Sequence, residues 1–150
     1  MNFMLDTQIY DRIVETEGMS KRLNQLSRDG QLTLLTTHIQ EDELAQIADA
    51  QKKTAIGRIE RTLVPTSGAI ADVSRSDLAT YGNGAIGGVT IGDIRSNSGR
   101  HARDALIATT AARDADALVT EDRRLANRMR ALGPKCAIWD FIQFVRFVYE

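Results

Sequence analysis

A single cysteine, Cys136, stands among 150 residues, so no disulfide can form within the chain. Its neighbours, CAIW, are apolar, which points to a buried structural thiol. With only two histidines, His38 and His101, and that one cysteine, no Cys/His spacing for zinc exists. Neither histidine has a nucleophile partner by motif, so neither is assigned as a base. No apolar run approaches the roughly 20 residues a membrane-spanning helix needs. The opening MNFMLDTQIY lacks a basic stretch followed by a long apolar one, so a secretory signal is not expected and a cytoplasmic location is. A charge bias is missing too. Nineteen Lys and Arg face 20 Asp and Glu, a net charge of -1, which argues against a strongly basic nucleic-acid binder. If four acids were committed to a cation, the remainder would turn net positive, and most of the bases are arginines, the better phosphate forks. No internal repeat, low-complexity tract or second-domain linker is visible.

What remains is an ordinary globular balance, 43% hydrophobic and 26% charged, at a length that suits one domain over residues 1–150. Asn2 to Leu5 reads as a strand stopped by Asp6-Thr7. A helix is expected over about Gln8 to Glu17, ended by Gly18, and another over Ser20 to Arg28, closed by Asp29-Gly30. Leu32 to Thr36 is a second strand. One long helix is expected from His38 to about Lys53. Pro65 ends any helical continuation, leaving Leu63 to Thr66 as a short third strand at an edge. Ser74-Arg75-Ser76-Asp77 has the form of a capping box, so a helix should run to about Tyr81. Tyr81 to Gly88 is glycine-rich and reads as a mobile loop. Its G-x-G-x-x-G pattern has no strand before it, which argues against a dinucleotide fingerprint. Helix Arg100 to Arg113, strand Ala117 to Val119 and helix Asp122 to Leu132, terminated by Gly133-Pro134, follow. Strand Cys136 to Trp139 and a last helix capped by Asp140 complete the chain. Strands alternating with helices through short turns predict an α/β domain with a parallel, roughly five-stranded sheet.

The segment DALIATTAARDADALVTED carries the anomaly. Asp104 is in register with Ile107, Ala108 and Ala111, and Asp122 with Leu125, Ala126 and Met129. Each acid continues an apolar stripe, where a carboxylate is costly unless it is paired or holds a metal. In parallel α/β sheets the active crevice lies outside the carboxyl ends of the strands. Asp6 ends the first strand, Thr120-Glu121-Asp122 ends the fourth, Glu43 lies early in the helix after the second, and Asp104 near the start of the helix before the fourth. Carboxylates gathered there stay ionised together only around a cation. Oxygen-only ligands select a hard ion such as Mg²⁺ or Mn²⁺, which lowers the pKa of a bound water and clamps phosphodiester oxygens. Helix register does not choose between Glu41, in line with Leu44, Ala45 and Ala48, and Glu43, in line with Ile47 and Ala50. Asp6, Asp104 or Asp122 taken alone reads first as a helix cap, the commonest job of Asp before a helix; their joint placement, and the register of two of them with apolar stripes, reverses that. Glu121 reads as a solvated residue at a helix N-terminus.

MLDT at the start, Glu43-Leu44, DALIATTA and LVTEDRRL, in this order and spacing, resemble the PIN-domain nucleases, and among them the small toxins of VapC-like toxin–antitoxin pairs. The resemblance implies a three-layer α/β/α fold and metal-dependent endonucleolytic cleavage of RNA. It implies an acidic quartet of Asp6, Glu43, Asp104 and Asp122 as Mg²⁺ or Mn²⁺ ligands and catalytic residues, with Thr120 as a supporting hydroxyl. The Glu-Leu pair favours Glu43 over Glu41. Gln8 departs from the Asn or Ser usual in the family. A cognate antitoxin protein and a homodimer are expected on the same ground. Two alternatives stand beside this reading: a catalytically silent PIN-like module that binds RNA, and a metal-dependent DNA nuclease. Arg95, Arg100, His101 and Arg103 read equally as phosphate contacts or as a solvated helix start. Arg123, Arg124, Arg128 and Arg130 read as a solvated face. The stripe Phe141, Phe144, Val145 and Val148 reads as core or dimer interface, not as a base-stacking platform.

Overall fold

A computed structural model describes residues 1–67, 79–80, 85–86, 89–90, 99–132 and 135–150. Five strands form one all-parallel sheet in the order β3-β2-β1-β8-β9: β1 (Asn2–Leu5), β2 (Thr33–Thr36), β3 (Thr62–Leu63), β8 (Ala117–Val119) and β9 (Ala137–Trp139). Helices cover both faces: α1 (Thr7–Glu15), α2 (Met19–Arg28), α3 (His38–Ala45), α4 (Ala50–Gly57), α5 (Gly99–Asp114), α6 (Arg123–Leu132) and α7 (Phe141–Tyr149). Between β3 and α5, Thr66–Ser67 (β4) pairs parallel with Ala79–Thr80 (β5), and Ala85–Ile86 (β6) pairs antiparallel with Val89–Thr90 (β7). The domain is thus a three-layer α/β/α fold.

Strand alternation sorts the core into two halves. Phe3, Leu5, Leu34, Ala117 and Val119 point to one face and pack against α1, α2 and α7. Met4, Leu35 and Leu118 point to the other and pack against α5 and α6. This is the period-2 geometry of a strand applied to a sheet buried on both sides, which is why these segments read as unbroken apolar runs. The ring of Phe3 lies 5.2 Å from Trp139, 5.2 Å from Phe144 and 4.9 Å from Phe147. Such aromatic pairs add about 0.5–1.5 kcal/mol each beyond area burial, and they tie β1 to β9 and α7. Phe141, Phe144 and Val148 are buried here, with Val145 partly buried against them, so the last helix's stripe is core. Cys136 is buried in the opposite half, and burial pushes its thiol up to about 11, which leaves it inert.

Several boundaries differ from expectation. The helix expected from His38 to about Lys53 is broken in two, because Asp49 turns its side chain to the backbone N–H groups of Gln51 and Lys52 and caps a new helix. That local bond competes with helix continuation. The third sheet strand is Thr62–Leu63, slightly earlier than expected, and Val64 still donates to the Thr36 carbonyl at 2.8 Å. The helix expected from Ser74 to about Tyr81 gives way at its end to strand β5, and Ala85–Ile86 of the expected glycine-rich loop is strand β6, paired with β7 just beyond the loop. The remainder of both segments, and the Gly133-Pro134 stop, lie outside the described residues. No described helix is long and apolar enough to cross a membrane.

Candidate functional site

Strand order reverses between β1 and β8. The chain builds outward from β1 to β2 and β3, then returns to lay β8 on the other side. Such a switch point leaves a crevice at the strands' carboxyl ends. Leu5 is registered against Val119, so the next residues, Asp6 and Thr120, meet at the mouth of that crevice. The Asp6 N–H donates to the Val119 carbonyl at 2.9 Å, and the Thr120 N–H to the Trp139 carbonyl at 3.0 Å. The Thr120 hydroxyl then donates to Asp6 Oδ2 at 2.8 Å.

Asp6 occupies the N-cap position of α1, yet its side chain makes no capping bond. The carboxyl instead looks toward Thr120. Burial raises its pKa above the ordinary 3.8. The Thr120 hydroxyl and the Thr7 N–H pull it down, and the charges of Asp104 and Asp122 push it up again, leaving it raised. No cationic side chain among the described residues offsets these effects. Asp104 and Asp122, 18 residues apart in the sequence, therefore both bear on Asp6 electrostatically, as the crevice argument anticipates.

Glu43 reaches the site from α3. The Thr7 hydroxyl, adjacent to Asp6, donates to Glu43 Oε2 at 2.8 Å. Glu41 is committed elsewhere. The Arg61 guanidinium grips it with two bonds, Nε to Oε2 at 2.7 Å and Nη2 to Oε1 at 2.9 Å, and Thr36 adds its hydroxyl at 2.8 Å. Burial works against the ionised Glu41, but the Arg61 bonds, the Thr36 bond and the Arg61 charge outweigh it and hold the carboxyl below its ordinary value.

Asp122 combines two roles. Its N–H donates to Thr120 Oγ1 at 3.0 Å, and its Oδ1 accepts from the Arg124 N–H at 2.8 Å. It thus caps α6, the role that Asp6 leaves unused. The neighbouring Glu121 is not simply solvated. It accepts from Arg12 of α1 at 2.5 Å and from the Phe141 N–H at 3.2 Å, so it binds the N-terminus of α7, not that of its own helix. Arg12 also lies 4.3 Å from the Phe141 ring centroid, close enough for a cation–π contact.

Two supporting residues escaped the sequence reading. Thr7 positions Glu43 as described. Gln40, fully buried, donates its amide to the Leu5 carbonyl at 2.5 Å and accepts the Thr37 N–H at 3.0 Å. It completes a capping box with Thr37 and fastens the start of α3 to the end of β1. The signal was present: Thr37-x-x-Gln40 is the capping-box spacing. Gln8, the departure from the family pattern, is exposed. Arg103 is exposed as well, and Arg95 and the side chains of Arg100 and His101 lie outside the described residues.

The donors gathered around Asp6 are all oxygen, which fits a hard divalent cation and excludes a zinc-type set. Among the described residues no three His, Cys, Asp or Glu side chains are close enough in this arrangement to hold a metal ion. The arrangement is therefore an acidic crevice of suitable chemistry whose side chains are not drawn into a finished cage. Neither a search of protein-family models nor a search of curated proteins finds a match to this chain.

Proposed function

We propose that this protein is a PIN-like, Mg²⁺- or Mn²⁺-dependent endoribonuclease. One observation carries the reading: Asp6 is a half-buried carboxyl at the switch point of a parallel sheet, its pKa raised by burial and by Asp104 and Asp122, with no basic partner among the described residues. A protein that needed this residue only for stability would pair it, as it pairs Glu41. The sequence motifs MLDT, DALIATTA and LVTEDRRL support the choice of family.

In this reading Asp6, Asp104, Asp122 and Glu43 hold the ion. The ion would supply an activated water and charge neutralisation at the scissile phosphate. The Thr120 hydroxyl fixes the rotamer of Asp6, and Thr7 fixes that of Glu43. Gln40 anchors the backbone just before Asp6, so the carboxyl cannot follow a moving strand end. The motif content further supports a toxin held in check by a cognate antitoxin protein, acting as a homodimer in the cytoplasm.

Purified protein incubated with total RNA should cut it with Mg²⁺ or Mn²⁺ and not with EDTA, and Asp6→Asn should reduce cleavage by about 10²-fold or more, the scale of losing a metal-site group. Absence of metal-dependent cleavage would sink the enzyme reading. A DNA substrate run in parallel separates ribonuclease from deoxyribonuclease. For the toxin role, expression should arrest growth and the adjacent gene should relieve it; harmless accumulation of active enzyme would count against it.

One observation favours a second reading, a silent module that binds RNA without turnover. Asp122 is engaged as a helix cap. RNA binding without metal-dependent cleavage would establish that alternative.

A further inference from the structure

Beside the acidic crevice, between α6 and the carboxyl ends of β8 and β9, lies a cleft of about 370 Å³. Thr120 and Asp122 are among the residues that line it, so whatever fills it abuts the candidate site. Arg123, Asn127 and Arg130 line one wall. Their spacing is i, i+4, i+7, which sets them on one face of α6. Ala126, also on the wall, is small enough to leave room between them.

The cleft's other acids are spent internally. Glu121 is paired with Arg12, and Asp140 caps α7 through the Gln143 N–H at 2.8 Å. Among the described residues the arginines have no acidic partner. Arg130 donates to a neutral partner, Asn127 Oδ1, at 2.9 Å, and neither Arg123 nor Arg130 is ion-paired to a described residue. Arg124 and Arg128, on the same helix, do not line the cleft. The four arginines that look alike in the sequence thus divide into an inner pair and an outer pair.

We infer that this cleft seats the single RNA strand next to the cleaved bond, with Arg123 and Arg130 holding its phosphates. The inference rests on the ribonuclease reading above. An acidic crevice repels a polyanion, so a strand reaches it only if cations beside it offset that field. A guanidinium fork suits a phosphate. The two arginines are seven residues apart on the helix, about 10 Å along its axis, so they meet different phosphates. They act as positioning residues and touch no reacting atom.

The test uses a single-stranded oligoribonucleotide with the full-length protein. Binding is measured in EDTA by fluorescence anisotropy over a series of salt concentrations, and cleavage is measured separately with Mg²⁺. Arg123→Gln and Arg130→Gln should each weaken binding about 5- to 10-fold and lower the salt slope by about 0.7, one phosphate contact on a single strand. Arg124→Gln and Arg128→Gln should stay within about twofold of wild type. In cleavage the inner pair should raise KM with little change in kcat, and Arg130→Lys should recover part of the loss. Equal weakening by all four variants, or an unchanged salt slope for the inner pair, overturns the cleft. If wild type binds RNA through the inner pair but never cleaves it, the ribonuclease reading falls and the cleft stands.

Discussion

Glu41 and Asp6 both stand at the carboxyl edge of the sheet, one beside the end of β2 and the other at the end of β1. Glu41 has a bidentate arginine and a threonine hydroxyl. Asp6 has a threonine hydroxyl and the fields of two further acids. Burial is unfavourable to both, yet the shifts run in opposite directions. Glu41 is held ionised by its partners, whereas Asp6 is pushed toward the neutral form. An acid that the fold neutralises serves the fold. An acid that the fold leaves with like charges costs stability and is explained by what it binds.

That contrast can be broken most sharply with the two glutamates of α3. Glu43→Gln keeps an oxygen to accept the Thr7 hydroxyl, so its melting temperature should stay within about 2 °C of wild type. Its RNA cleavage should fall by about 10- to 100-fold, the scale of disturbing a metal site. Glu41→Ala should do the reverse. It leaves Arg61 half-buried without its carboxylate and should cost about 1–2 kcal/mol, a figure discounted because the Glu41 side chain is about one-third exposed. For a chain of this size that is a drop of about 2–8 °C, read by circular dichroism. Similar melting losses for both variants would erase the distinction between the two sites.

Next in size is Thr120→Val. It removes the hydroxyl that donates to Asp6 and accepts the Asp122 N–H. About 1 kcal/mol of stability should be lost, and cation affinity measured by calorimetry should weaken about 10-fold. Unchanged affinity would show that Thr120 does not orient the acids.

The smallest effect concerns pH in metal-free protein. Asp6 has a folded pKa raised above 3.8, so its ionised form is a penalty at pH 7 that is lifted as pH falls through the raised value toward 3.8. Glu41 has a folded pKa lowered below 4.5, so its contribution is present above 4.5 and lost as pH falls through the lowered value. Asp6→Asn should therefore melt at or slightly above wild type at pH 7, and the difference should close toward pH 4. Asp104→Asn should likewise not destabilise the metal-free fold, since it relieves repulsion. A clear drop in melting temperature for either variant at pH 7 would assign these acids a structural role.

The sheet and its order of elements were legible because a strand buried on both faces is an unbroken apolar run, and Phe3, Leu34 and Leu118 lie in such runs. Helix register does not by itself place Asp104: every residue from Ala105 to Ala111 is buried, so burial there marks no single face. The break at Asp49 was not read, because a capping side chain competes with propensity only locally and leaves the apolar period intact. Glu41 is bound by Arg61, 20 residues downstream, and no helical period carries that information. For the same reason the ion pair from Arg12 to Glu121 was invisible: it joins residues 109 apart. The double duty of Asp122 had been seen as a choice between cap and site residue, where the geometry allows the cap while the charge still reaches Asp6.

The hydrogen bond from Thr120 to Asp6 joins residues 114 apart in the chain, and that span has a consequence for synthesis. A chain emerging from the ribosome can pair β1 with β2 early, but the other side of β1 stays open until Ala117–Val119 has been made. Through most of translation the crevice between β1 and β8 does not exist. The same interval leaves an apolar strand with an uncovered edge, the state in which parallel sheets are most prone to mispair. Late completion thus lengthens the interval in which that strand edge stays open.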